Sequence, residues 1–420
     1  MNRIDIKRKI LPNGLTLLVN ENHFLPICTM MAWFRVGGRN EKPGLTGMSH
    51  YLEHCYSMGT QRFKPRENSW LIQRAGGTKN AFTSHDYTAY YANVPADFLE
   101  SLMDMEADRL INLALPEPNV VSEKEVIKEE KRLRYDDSPF GKLFETLYDL
   151  SYENHPYKYP VIGTWDDLIA MTRDQMVDYY KHHYVPENIV LVIAGDVTFE
   201  RALSLTEKYF GGIPKTNFSG PPIPSENTQL SERRKIIQKE SELPALAMAY
   251  LTVNVDHPDY IPLIFLSAVL SSGKSSRLHQ SLVYRRQMAT FASASFSAAK
   301  DPGLFQFMAQ AQPGHTISEI EQAIADEINK LQQGEITDEE YERVKNLVEA
   351  GFIYSMETNE NRAEMMGRYE ILSEKYGAEY LNHSLELFHA TTKADIRRVA
   401  QTYFSDERKN TVILEPIKKN

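Results

Sequence analysis

The pentad His50-Tyr51-Leu52-Glu53-His54 places two imidazoles and a carboxylate within five residues. On a helix, positions 50 and 54 fall one turn apart on the same face, so both imidazoles can reach a single ion, and position 53 shares that face. Neutral imidazoles are good zinc ligands, and a carboxylate beside a metal-activated water is a good general base. The chemistry implied is metal-assisted hydrolysis. The competing reading is an amphipathic helix whose histidines hold no ion. The order H-x-x-E-H is the reverse of the commoner H-E-x-x-H zinc motif. A hydrolytic zinc site needs a third protein ligand and keeps a fourth position for water. The chain has two cysteines, Cys28 and Cys55, too few for a thiolate-built site, so any metal must rest on histidines and carboxylates. Downstream, Glu123-Lys-Glu-Val-Ile-Lys-Glu-Glu130 carries four carboxylates. Charge runs are usually solvated faces. Glu123 and Glu130, however, are seven apart and share a helix face, and Val126 and Ile127 supply an apolar side to seat it. One of the two could bind the ion and the other support it.

The flanking pattern supplies elements able to hold these groups. Strands are predicted at Leu15–Asn20, Ile27–Val36, Lys79–Val94 and Ile189–Ala194, from alternation or short apolar runs bounded by turn residues. Helices are predicted at about Thr46–Tyr56, Pro65–Ala75, Pro95–Leu113, Glu117–Tyr135, Thr172–Tyr184 and Glu200–Phe210. The stretch Pro214–Glu232 lacks period and contains Gly220-Pro221-Pro222, which reads as a linker. The second half echoes the first. Leu25-Pro26 and Leu243-Pro244 each open a strand, and the helices starting at Thr172 and Thr392 are displaced by 220 residues. The expectation is an α+β protein of two homologous α/β domains, each a mixed or antiparallel sheet with helices packed on it. These are residues 1–216, carrying the metal motif, and 236–420, without it, joined by a linker at 217–235.

Of 420 residues, 42% are hydrophobic and 25% charged, the balance of an ordinary globular chain. No apolar run approaches the roughly 20 residues that span a bilayer. With 47 basic against 57 acidic residues the net charge is −10, and the basic footprint of a nucleic-acid binder is absent. No apolar signal core precedes Ile10-Leu11-Pro12-Asn13-Gly14-Leu15, so the cytoplasm is the expected location, or the periplasm if the N-terminus has been shortened. Cys55, one position after His54, rotates off the ligand face and is expected to be a buried thiol.

These residues resemble the pitrilysin family of zinc metallopeptidases, the inverzincins, over almost the whole chain. The similarity extends to its branch of short subunits, which includes mitochondrial processing peptidase and bacterial relatives. The family follows H-x-x-E-H with a ligand glutamate about 75 residues on, and Glu130 lies 76 after His54. Leu11-Pro12-Asn13-Gly14-Leu15 resembles its opening hairpin, and Gly76-Gly77-Thr78-Lys79-Asn80-Ala81-Phe82-Thr83 its substrate-binding strand. Asn188–Asp196 and Ser275-Ser276-Arg277-Leu278 match further segments. The resemblance implies Zn²⁺ on His50, His54 and Glu130, with Glu53 taking a proton from the attacking water and Glu123 assisting the site. It also implies that Asn80, Ala81 and Phe82 lie on an edge strand that pairs with an extended substrate. Phe82 could equally be core.

The sequence departs from the family at one point. Active members carry an Arg and a Tyr seven apart in a later domain, and alignment from Ser276-Arg277-Leu278 puts Val283 and Thr290 there. Arg277 and Tyr284 have the spacing but not the alignment. The resemblance therefore implies the zinc-bearing subunit of a heterodimer whose homologous partner supplies Arg and Tyr, with a homodimer as the alternative. The expected activity is metalloendopeptidase cleavage of peptides or unfolded segments. The rival function is a non-catalytic assembly subunit, which would be expected to have lost the metal motif.

Overall fold

The computed structural model describes residues 3–417. Met1, Asn2 and residues 418–420, at the outer ends of the two expected domains, lie outside them.

The first sheet contains β1 (Lys7–Ile10), β2 (Thr16–Glu21), β3 (Ile27–Phe34), β4 (Thr78–Thr83), β5 (Thr88–Pro95) and β6 (Ile189–Gly195), in the order β1-β2-β6-β3-β5-β4. Only the β2–β6 pair is parallel. β6 is a continuous run of buried residues, as a central strand covered on both faces must be. The second sheet contains β7 (Arg233–Glu240), β8 (Ala245–Leu251), β9 (Ala289–Phe296), β10 (Leu304–Ala311) and β11 (Lys409–Ile417), ordered β7-β11-β8-β10-β9. Its parallel pair is β7–β11. Without β1, the two sheets share one topology, as a duplicated unit requires. Helices Arg173–His183 and Lys393–Tyr403 both start on a threonine capping box, Thr172 with Gln175 and Thr392 with Asp395. The single strand expected over 79–94 is a hairpin, β4–β5, because Ser84 donates its backbone N–H to the Tyr87 carbonyl at 2.8 Å and turns the chain.

The expected domain limits need correcting. Among the described residues, one compact unit comprises 3–131, 159–224 and 355–382, and the other 132–158, 225–354 and 383–417. The strands follow the two halves of the sequence, but two helices exchange. Pro139–Ser151, from the first half, lies on the second sheet, where Leu143 and Leu147 fill the space over Ala245, Ala247 and Ala249. Asn359–Leu372, from the second half, packs on β3 and β6 of the first sheet, with Gly367 against the buried Trp33 ring. In both cases small residues allow the close approach. Among the described residues no helix is long and apolar enough to cross a membrane. Cys28 and Cys55 are both free and buried, and burial pushes the Cys28 thiol up to about 12.

Candidate metal centre

The helix carrying the pentad runs Met48–Cys55, and its start is heavily braced. Gly47 precedes it at φ 92°, where a side chain would strike the Ile162 carbonyl at 2.5 Å. The buried Glu41 carboxylate accepts the backbone N–H of Gly47 at 2.6 Å and of Ser49 at 2.7 Å, taking the role of an N-cap from outside the helix. Desolvation raises the Glu41 pKa to about 7 despite these bonds. Tyr51 donates its hydroxyl to the Val120 carbonyl at 2.6 Å, tying this helix to the one that carries Glu123 and Glu130, Glu117–Lys131. At the far end of that second helix, buried Lys131 donates to the Gly163 carbonyl at 2.7 Å. Gly163 in turn packs on the Thr46 and Gly47 backbone. The two helices are thus linked at both ends of their contact.

Between them, one ligand atom each from His50, His54 and Glu130 lies within 4.8 Å of the others. Glu130 Oε2 is 3.7 Å from His50 Nε2 and 3.4 Å from His54 Nε2. The seven-residue spacing brings Glu123 to the other side of the same imidazole, with Glu123 Oε1 2.9 Å from His54 Nδ1. A carboxylate on Nδ1 holds that proton there and presents Nε2 as the metal donor. Two imidazole nitrogens and one carboxylate form a donor set that suits zinc in a hydrolytic site. Glu53, on the same helix face, accepts a hydrogen bond from Thr83 Oγ1 at 2.6 Å. This links the pentad to β4.

β4 is an edge strand and pairs only with β5 among the described residues, Asn80 opposite Tyr91, Ala81 opposite Tyr90 and Phe82 opposite Ala89. Alternation puts Thr83, Ala81 and Lys79 on the face of Glu53. Phe82 takes the other face, edge-on to Trp33 at 5.5 Å between ring centroids, so its side chain is part of an aromatic cluster. In the second unit, Val283 lies in the π-helical turn His279–Arg285, and the Thr290 hydroxyl bonds Gln310 Oε1 at 3.0 Å. Arg277 is spent on Glu340, at 2.6 and 2.8 Å, and Tyr284 is largely exposed. Sequence reasoning missed Glu41, which lies between the predicted strand 27–36 and the predicted helix 46–56. It quoted Thr83 with the strand but gave it no role.

In the metal-free chain, burial lowers the His54 pKa, but Glu130, Glu123 and Glu53 outweigh burial and carry it up to about 9. A zinc ion held by His54 would therefore displace a proton. Its affinity is expected to rise about tenfold per pH unit from about pH 7 to 9, then level off. Because the folded pKa lies above the unfolded one, this charge stabilises the metal-free fold fully below about pH 6.5, and the contribution is lost as pH rises through 9. Competition against a chromophoric chelator at several pH values reads the affinity. A flat profile would mean that His54 is already neutral before zinc arrives.

Residues 16–165 match the family model described as Insulinase (Peptidase family M16), and residues 170–348 match the one described as Peptidase M16 inactive domain. Zinc protease PqqE of Helicobacter pylori is 30% identical over 387 residues, covering 91% of this chain and 86% of its own. The uncharacterized zinc protease YmxG of Bacillus subtilis is 27% identical over 403 residues, 96% of each. The crystal structure of a protease from H. pylori superposes with a TM-score of 0.94 at 28% identity, covering 99% of this chain and 100% of that one.

Proposed function

Since the chain belongs to peptidase family M16, the insulinase family, we propose that it is a zinc metalloendopeptidase cleaving peptides or unfolded segments, with His50, His54 and Glu130 as zinc ligands and Glu53 as general base. The observation that carries this reading is the convergence of those three donor atoms within 4.8 Å, beside a carboxylate that is not needed as a ligand. When bound, zinc supplies Lewis-acid polarisation of the scissile carbonyl and acidifies water. Glu53 accepts the proton of the attacking water and later passes it to the leaving amine. Thr83 fixes the carboxylate by bonding one of its oxygens. Glu123 holds the His54 ring by its Nδ1. The open edge of β4 at Asn80–Phe82 offers main-chain groups to an extended substrate, which favours unfolded chains over folded ones. The Ala81 N–H on that strand is currently taken by Asn80 Oδ1 at 2.9 Å, so docking there exchanges one bond for another.

The absence of Arg and Tyr at 283 and 290 supports a zinc-bearing subunit of the short-chain branch, completed by a homologous partner. A quenched fluorescent peptide, incubated with the zinc-loaded chain, should be cleaved weakly or not at all. Mixing in a homologous chain that bears the Arg/Tyr pair should raise the rate by at least about 100-fold, the scale on which a transition-state hydrogen bond acts. A single chain as active as the mixture would rule out the partner requirement. An inactive mixture with stoichiometric zinc would rule out the peptidase reading itself. A non-catalytic assembly role has no observation in its favour, since the full donor set is present.

A further inference from the structure

A cavity of about 230 Å³ opens beside Glu53 and His54 in the first unit, with Tyr56, Lys79, Glu106 and Arg109 among its walls. It is smaller than the roughly 300–1,000 Å³ of drug-sized ligand sites and suits one side chain. Its walls carry two carboxylates, Glu53 and Glu106, and two cations, Lys79 and Arg109, and Glu53 is engaged by Thr83. Glu106 and Arg109, both buried, pair with each other, and the Arg109 guanidinium lies 4.1 Å from the Tyr56 ring centroid. That leaves Lys79 on β4, half-buried, with no hydrogen bond or ion pair to any described residue. It lies on the strand face that carries Thr83, and hence Glu53. An ammonium that is taken from water and given no counter-charge is costly, and a ligand carboxylate would offset that cost. Consistent with this, desolvation and then the nearby Arg109 lower the Lys79 pKa, against a smaller opposing pull from Glu106.

We propose that this cavity is a substrate subsite that selects an acidic side chain, Asp or Glu, within about three residues of the scissile bond, with Lys79 as the specificity-determining residue. The inference rests on the peptidase reading above, because it takes the strand running past Lys79 to be the one a substrate pairs with. The reach follows from geometry. Lys79 is four residues from Thr83, a peptide paired with β4 advances at the same rate of about 3.3 Å per residue, and the Lys79 side chain reaches the cavity that Glu53 also lines, which shortens the offset to about three. The cavity then takes one side chain of the docked peptide, and its carboxylate completes the ion pair with Lys79.

The test uses two readouts so that the two proposals can fail separately. Peptides varied at each of three positions on either side of the cleavage site, carrying Glu, Gln, Leu or Lys, are assayed for kcat/KM with the zinc-loaded enzyme and its partner. The same peptides are assayed for binding to zinc-loaded Glu53→Gln, by fluorescence anisotropy, which needs no turnover. At one position, Glu should exceed Lys by at least about tenfold, the scale of one partly desolvated charge pair. Lys79→Met should flatten that preference and Lys79→Glu should invert it, with peptides neutral at that position still bound. Selective binding without turnover in any mixture would overturn the peptidase reading and keep the subsite. Turnover with no acidic preference, a preference that survives Lys79→Glu, or no binding of any peptide would overturn the subsite.

Discussion

Glu53→Gln is expected to keep one zinc per chain and to lower peptide hydrolysis about 10²–10⁴-fold, the range for removing a general base. The amide has the shape of the carboxylate, and its oxygen can still accept the Thr83 hydroxyl, now at 2.6 Å from Glu53 Oε2. The side chain therefore stays in place and only its ability to take a proton is lost. The ligand atoms of His50, His54 and Glu130 do not involve it, so metal content should hold. His54→Ala gives the complementary result. It removes a donor and leaves Glu123 and Glu130 facing a gap, so zinc and activity are lost together. Metal analysis and the fluorescent-peptide assay on both variants separate the two roles. Hydrolysis by Glu53→Gln within a few-fold of wild type would remove Glu53 from the mechanism.

Gly367→Ala is expected to destabilise the first unit by about 3 kcal/mol, at the upper end of ordinary overpacking costs. Local propensity argues the opposite way, since alanine in a helix interior is favoured over glycine by about 1 kcal/mol. Packing outweighs it. A Cβ at 367 would lie 2.1 Å from Trp33 Nε1 and 2.3 Å from Cε2. Trp33 cannot yield, because it is fully buried and wedged edge-on between Tyr87 at 4.9 Å and Phe82 at 5.5 Å. The helix must lift from the sheet instead. At about 2–4 °C per kcal/mol for a unit of this size, the midpoint should fall by about 10 °C. Since Phe82 sits on the hairpin proposed to pair with substrate, loosening should also raise KM before unfolding sets in. A midpoint unchanged within about 2 °C would show that Trp33 has room the packing does not suggest.

How much of this was legible beforehand depends on how far each feature reaches along the chain. The pentad and the Glu123/Glu130 pair were legible because helix geometry alone brings i, i+3, i+4 and i+7 to one face, whatever surrounds the helix. β6 announced itself as an uninterrupted apolar run, and the duplication through Thr172 and Thr392, whose caps are purely local. The acidic balance and the missing Arg and Tyr at 283 and 290 also needed no structure. Tertiary structure decided the rest. Glu41 reads as one of several charges in a turn until folding buries it against the Gly47 and Ser49 amides. Lys79 reads as an ordinary strand lysine until the cavity closes around it with no hydrogen bond or ion pair to it among the described residues. The exchange of Pro139–Ser151 and Asn359–Leu372 left no mark in periodicity, because two homologous sheets offer similar apolar faces to any amphipathic helix. The choice between them rests on fit, through Gly367 under Trp33 and through Ala245, Ala247 and Ala249 under Leu143 and Leu147. Spacing along one helix is set by bond geometry, so sequence alone determined which donors share a helix face. Which surface each helix covers depends on steric match between distant residues, and only the folded chain brings those together.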